Sequence, residues 1–351
     1  MSTFLSGIWV ILTLELRQRV RGVSSYVLLG SYVVILAIVT VLLTIAYAGF
    51  GESNLGDAAG AGVYSAIIYF VLLLGTLVAP ALSGNAINGD RDAGTLATTQ
   101  ITLISTWQLV LGKFVAAWIT ALAFLVVSLP FILYASFLGG LSPVTVLVST
   151  LVLAVELGVV AAIGVGLSGI LTRPLFSIVL TYLTVAALSV GTLIAFGLGG
   201  LAVQTTTTTT YIYGVDYDSQ GRATECADPE FYESQAPRFD LFWGVLVANP
   251  YVLLADAVPT TYDQAGYPQD LFGSIKYSVR QVQIPPSDTY YDECSREVEN
   301  IPSAREVIDS TVPGWFVGLV LHLALAAGAL IWAWSRTNTP TGRLPKGSRV
   351  A

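Results

Sequence analysis

Six long apolar runs divide the chain, at about Tyr26 to Phe50, Ala61 to Ser83, Leu109 to Leu138, Val144 to Leu171, Leu175 to Val203 and Gly314 to Trp334. Each reaches the roughly 20 residues that a helix needs to cross a hydrocarbon layer. A membrane barrel would show shorter segments of alternating polarity. The pattern therefore predicts an all-α polytopic membrane protein with six transmembrane helices. Ahead of the first run, Phe4, Ile8, Ile11, Leu12 and Leu16 recur at helical spacing, and Glu15, Arg17, Gln18, Arg19 and Arg21 fill the far end. That spacing predicts an amphipathic helix lying along a membrane surface, either as an anchor or as a mechanical connector. The domain plan is an amphipathic segment at 1–22, helices one to five over 23–203 with a loop at 85–113, a long polar region at 204–313, a sixth helix at 314–335 and a basic tail at 336–351.

The polar interruptions carry the rest of the information. Within Asn85 to Lys113, Asp90, Arg91 and Asp92 precede Ala93-Gly94-Thr95-Leu96, and paired carboxylates suit the positive end of a following helix. Leu96, Leu103, Ile104 and Trp107 then share one face, with Thr98, Thr99, Thr102 and Ser105 largely away from it. A short surface helix is predicted, with an irregular loop as the alternative because threonine favours helices poorly. Pro80 is expected to loosen the second helix before this break. Gly139-Gly140-Leu141-Ser142-Pro143 predicts a tight turn. Glu156 sits near the middle of the fourth run, where a carboxylate costs about 2.5 to 3.5 kcal/mol without a partner or water. Gly158, Gly164, Gly166 and Gly169 in the same run permit close helix packing. Gln204 and Thr205 to Thr210 read as an extended linker. Asp240 to Pro259 is apolar but broken by Asn249-Pro250 and Asp256, and reads as an interfacial or re-entrant segment rather than a span. His322 in the last run is either an interhelical hydrogen-bonding group or a proton relay.

Composition agrees with this plan: 54% of the 351 residues are hydrophobic and only 11% are charged, against roughly a quarter in soluble domains. The net charge of −7 hides a segregation, because 204–313 holds 17 acidic and 6 basic residues while the remainder holds 6 and 10. Arg17, Arg19, Arg21, Arg91, Lys113, Arg173, Arg336, Arg343, Lys346 and Arg349 all fall on one side of a six-helix topology, and the positive-inside rule makes that side the cytosol. Both termini are expected inside and 204–313 outside. The first run follows an arginine-rich segment and is too long for a cleavable signal. Cys226 and Cys294, the only cysteines, are both expected outside and form a candidate disulfide. Its closure would contribute roughly 4 kcal/mol by the chain-entropy argument.

Several chemistries are excluded by residue content. Gly112-Lys113 is followed by Phe114 and position 107 is Trp, so there is no GxxxxGK[ST] phosphate loop. One histidine and two distant cysteines do not build a metal site on their own, and no Gly-x-Ser-x-Gly elbow occurs. Any pumping needs energy from another polypeptide or from an ion gradient.

Three local patterns resemble the permease subunits of ABC-2 type (type V exporter) transporters. They are Glu15-Leu16-Arg17 with Arg21 before the first span, Asp90 to Leu96 followed by Val110-Leu111-Gly112-Lys113, and Gly166-Leu167-Ser168 with Thr172-Arg173 and Thr181-Tyr182. The loop lacks the proline common in the family, and 204–313 is longer than the family's usual segment. The resemblance implies a chain that is not itself an enzyme and binds no cofactor. ATP and magnesium belong to a separate ATP-binding subunit, and a second permease copy or paralogue completes the assembly in the lipid of a prokaryotic cytoplasmic membrane. No nucleic-acid partner is expected. It further implies coupling to the ATPase through Asp90, Arg91, Asp92, Gly94, Thr95, Leu96, Leu103, Ile104 and Trp107, with Glu15, Arg17 and Arg21 in a connector helix. Two rival readings are a non-transporting membrane protein with an acidic outer ligand-binding region, and an ion-coupled transporter using Glu156 and His322.

Overall fold

The computed structural model describes residues 3–50, 57–96, 104–139, 141–218, 223–263, 266–294 and 302–338. In order, α1 (Thr3–Arg21), α2 (Val23–Phe50), α3 (Asp57–Ser83), α4 (Asn88–Asp92), α5 (Thr106–Leu138) and α6 (Pro143–Ile170) lead to α7 (Pro174–Ala202), which contains a π-helical turn at Ala187–Gly191. Five strands and four short helices follow: β1 (Gln204–Ile212), β2 (Gly214–Tyr217), β3 (Ala223–Cys226), β4 (Glu230–Pro237), α8 (Trp243–Leu246), α9 (Pro250–Ala257), α10 (Leu271–Gln281), β5 (Thr289–Asp292) and α11 (Ala304–Ser310). The last helix is α12 (Trp315–Thr337). Among the described residues six helices are long and apolar enough to cross a membrane, and the chain is a multi-pass helical membrane protein.

Local sequence explains most boundaries. Ser105 caps α5 through a capping box with Gln108, and Ser142 caps α6 with Pro143 at the first helical position, where the missing proline N–H costs nothing. Helix α3, expected to loosen at Pro80, runs on to Ser83, and Gly84 N–H still donates to the Pro80 carbonyl at 2.8 Å. Only the bond from position 80 back to Thr76 is lost, which a helix walled in by neighbours tolerates. Helix α5 has 33 residues, so it is about 50 Å long, against about 30 Å of hydrocarbon. Helix α1 packs along its early turns in the same direction, with Gly7 against Gln108, Ile11 against Gly112 and Arg19 bonded to Thr120.

The bundle core joins Tyr32 and Leu36 of α2, Tyr64 and Ile68 of α3, Phe124 and Ile132 of α5, and Leu153 and Leu157 of α6. Its polar atoms are paired: the Tyr32 hydroxyl lies 2.6 Å from Ser128 Oγ and the Tyr64 hydroxyl 2.7 Å from Ser149 Oγ. Helix α12 lies close against α6, because Gly166 and Gly169 leave room for Ala329 and Ala333, a small-residue contact suited to membrane helices.

A purely helical chain is not what the structure contains. It is 73% helical, and among the described residues the strands are confined to 204–292. The threonine tract read as a linker is β1, the centre of a sheet ordered β4-β1-β5, antiparallel to β4 with Thr207 opposite Ser234 and parallel to β5 with Tyr211 opposite Tyr291. Threonine is β-branched and suits a pleated half-buried strand; identical residues simply conceal the alternation of faces. Strands β2 and β3 form a second antiparallel pair, and Cys226 is disulfide-bonded to Cys294.

Residues 240–259 form a broken helix wedged into the bundle. Asn249 caps α9 and donates to the Ser189 carbonyl at 2.6 Å and to Thr192 Oγ1 at 2.9 Å. A π-helical turn disturbs the regular backbone ladder, and the asparagine amide reaches the Ser189 carbonyl there. Ala248 O lies 3.0 Å from His322 Nε2, seven residues along α12 from Trp315, or about 10 Å of helix rise. The wedge is fastened at its end by Asp256. One carboxylate oxygen accepts from Arg280 Nε and Nη2 at 2.9 and 2.8 Å, and the other from the N–H groups of Gly314 and Trp315 at 2.7 and 2.9 Å. Asp256→Ala leaves the buried Arg280 guanidinium unpaired and should cost about 3 to 5 kcal/mol. The expected readout is a lower melting temperature with faster proteolysis between α9 and α12; unchanged proteolysis would rule out the fastening role.

Candidate functional site

The first part of the interruption between α3 and α5, 84–96, is built from short-range turns pinned by buried polar groups. Ser168 Oγ accepts from the backbone N–H groups of Ile87 and Asn88, both at 3.0 Å. Asn88 Nδ2 donates to Ser177 Oγ at 3.1 Å, and Arg91 Nη1 donates to Asn88 Oδ1 at 2.6 Å and to the Leu171 carbonyl at 3.0 Å. Asn88, Ser168 and Ser177 are each fully buried. The single-turn α4 is thereby held against the join of α6 and α7. After it, Gly94 adopts a φ of +69°, a conformation glycine takes without strain.

Lys113 completes the junction. Its ammonium is only 2% exposed and bonds both Glu15 Oε1 of α1 and, at 2.7 Å, Asp90 Oδ2 of α4. One cation thus ties the N-terminal helix, the break and α5 together. Leu96 is buried in the same apolar cluster as Ile11, Ile87, Leu109 and Leu330. By contrast Asp92, Gly94 and Thr95 are exposed. Arg17 and Arg21 are exposed as well.

Of the residues singled out for coupling, Asp90 and Arg91 thus serve the junction, and Leu96 packs inward. Trp107 stands in the first turn of α5 rather than on a separate surface helix, with its ring stacked on Trp334 at 5.1 Å and 14°. Ile104 is half-buried beside the Ser105 cap, and Leu103 lies outside the described residues together with 97–102. Sequence reading passed over Asn88 and Ser177, whose only signal is small polar residues at the ends of apolar runs, and noted Ser168 only within the pattern Gly166-Leu167-Ser168.

A second constellation lies deeper. His322 Nδ1 is 2.9 and 3.0 Å from the Glu156 carboxylate oxygens, with side-chain exposures of 1% and 2%. Because a carbonyl only accepts, the contact to Ala248 O fixes a proton on Nε2. The proton of the Nδ1 contact is then shared between ring and carboxylate, and the pair is neutral as a whole in either arrangement. This pair links α6, α12 and the wedge. Beside it an apolar cleft of about 630 Å³ opens between α3, α7 and the wedge, bordered by Leu73, Tyr182, Val190, Leu193 and Tyr251. In the 204–313 segment, desolvation raises the Asp270 carboxyl and lowers the Lys276 ammonium, each partly offset by nearby opposite charge or hydrogen bonds.

No family model matches the chain, and no curated protein matches it.

Proposed function

We propose that the chain is the membrane-spanning permease subunit of an ABC-2 type transporter, which exports a substrate across a prokaryotic cytoplasmic membrane. In this reading ATP is bound and hydrolysed by a separate subunit, and a second permease copy or paralogue faces this one. Both termini lie in the cytosol and 204–313 lies outside. The observation that supports it most is the Glu15–Lys113–Asp90 cluster. Force applied to the exposed residues Asp92 to Thr95 would pass through Asp90 and Lys113 into α5, and force on α1 would enter the same helix through Glu15. The motif likeness of these residues to the family points the same way, as does the absence of a phosphate loop in the sequence.

These exposed residues are the place to test. Asp92→Lys with Thr95→Trp changes exposed side chains only, so the chain should stay monodisperse. Capture of an ATP-binding subunit encoded beside it should fall at least tenfold, a loss of about 1.4 kcal/mol in binding. If wild-type chain expressed with its neighbouring reading frames never captures an ATPase, the proposal is wrong.

The buried Glu156–His322 pair favours a second reading, an ion-coupled transporter in which that pair carries a proton. The two readings separate on whether transport persists without ATP.

A further inference from the structure

Where α1 meets the start of α2, a crevice of about 320 Å³ runs between these helices and the middle of α5. Its walls are apolar, formed by Val20, Leu28, Leu29, Ile119 and Phe124, and its polar end carries Arg19, Ser25 and Thr120. Arg19 Nη1 donates to Thr120 Oγ1 at 3.0 Å and Nη2 to the Leu82 carbonyl at 3.2 Å. Both partners are neutral, while a guanidinium has five N–H donors. The nearest carboxylate, Glu15, is already bonded to Lys113. Burial depresses the Arg19 guanidinium below its ordinary value, and Glu15 offsets this only in part. Across α1 and the Lys113 cluster, the four cations Arg17, Arg19, Arg21 and Lys113 face two carboxylates, Glu15 and Asp90.

We propose that this crevice binds one anionic phospholipid, with Arg19 meeting the phosphate and an acyl chain lying along the apolar walls. The two halves of the site select together. A zwitterionic lipid offers the same phosphate but brings its own ammonium to a region already in excess of positive charge, and a soluble anion leaves the apolar walls facing water. Basic side chains at the edge of a span attract anionic headgroups in general; here a shaped slot accompanies the charge and restricts binding to one molecule per chain.

The test uses the full chain in nanodiscs of equal parts dioleoylphosphatidylglycerol and dioleoylphosphatidylcholine, extracted gently and weighed by native mass spectrometry. Wild type should retain one phosphatidylglycerol per chain with about tenfold preference over phosphatidylcholine, the scale of one charge-assisted contact. Arg19→Gln should reduce that preference to near unity, and Arg19→Lys should keep part of it. Ala123 also lines the crevice and is exposed, so Ala123→Phe should fill the slot with Arg19 intact and lower retention of both lipids. Should Arg19→Gln aggregate, Ala123→Phe and Arg19→Lys still decide the matter. Equal retention of the two lipids by wild type overturns the proposal. So does unchanged retention in monodisperse variants, and so does displacement of the lipid by millimolar inorganic phosphate, which would mark a free-anion site.

Discussion

Lys113→Met should detach the N-terminal helix from the bundle. Glu15 and Asp90 would then face each other with no cation between them, and Glu15 is nearly buried, with a 12% exposed side chain. Removing one partner from a buried ionic cluster costs about 3 to 5 kcal/mol. Asp90, at 30% side-chain exposure, is better solvated, so Asp90→Asn alone should cost about 1 kcal/mol or less. The readout is chemical: Ile11 is 6% exposed on the sealed face of α1, so Ile11→Cys should resist thiol reagents in the wild-type background and react readily beside Lys113→Met. Changing all three partners at once, Glu15→Gln, Asp90→Asn and Lys113→Met, should restore most of the protection, because the uncompensated charges are gone. Continued protection in the single variant would show that apolar packing and the Arg19 hydrogen bonds hold α1 without the ionic cluster.

Glu156→Leu and Glu156→Gln should differ sharply. In the leucine variant the ring keeps its bond to Ala248 O, but Nδ1 loses its partner inside the bundle, which costs about 2 kcal/mol. Glutamine can donate an amide N–H to Nδ1 of the neutral ring, so its cost should stay below about 1 kcal/mol. Melting of the purified protein measures the first difference. Transport into vesicles then separates the roles. If the pair only staples α6, α12 and the wedge, Glu156→Gln transports normally with the ATPase present. If the pair carries a proton, Glu156→Gln abolishes a transport that needs no ATP, because an amide cannot take part in proton exchange.

The helices were legible because lipid imposes a minimum apolar length on every crossing. Leu175 to Val203 was expected and Pro174–Ala202 is found. The start of α6 at Ser142 and Pro143 was equally plain, since serine capping and a first-turn proline act locally. What stayed hidden depends on partners far along the chain. Glu156 and His322 are 166 residues apart and Glu15 and Lys113 are 98 apart, and nothing local to any of them names its mate. Asp256 read as a flaw in an apolar stretch until Arg280 and the start of α12 supplied its four donors. Trp107 fitted the face of a loop helix by spacing, yet its ring belongs with Trp334, because Ser105 starts α5 before it. The threonine tract misled for a different reason: uniform composition carries no face pattern, and only the register with β4 and β5 shows that it is a strand.

The length of α5 gives the molecule a lever. Between Lys113 and Leu138 the helix runs on without a break, through Pro130, over about 37 Å of axial rise. A rigid tilt of about 5° pivoting at Lys113 carries Leu138 sideways by about 3 Å, comparable to the length of a hydrogen bond. Displacements far smaller than a side chain at the ionic pivot are therefore geometrically magnified at the opposite end of the rod, and the proline two turns before that end is where the rod would flex first.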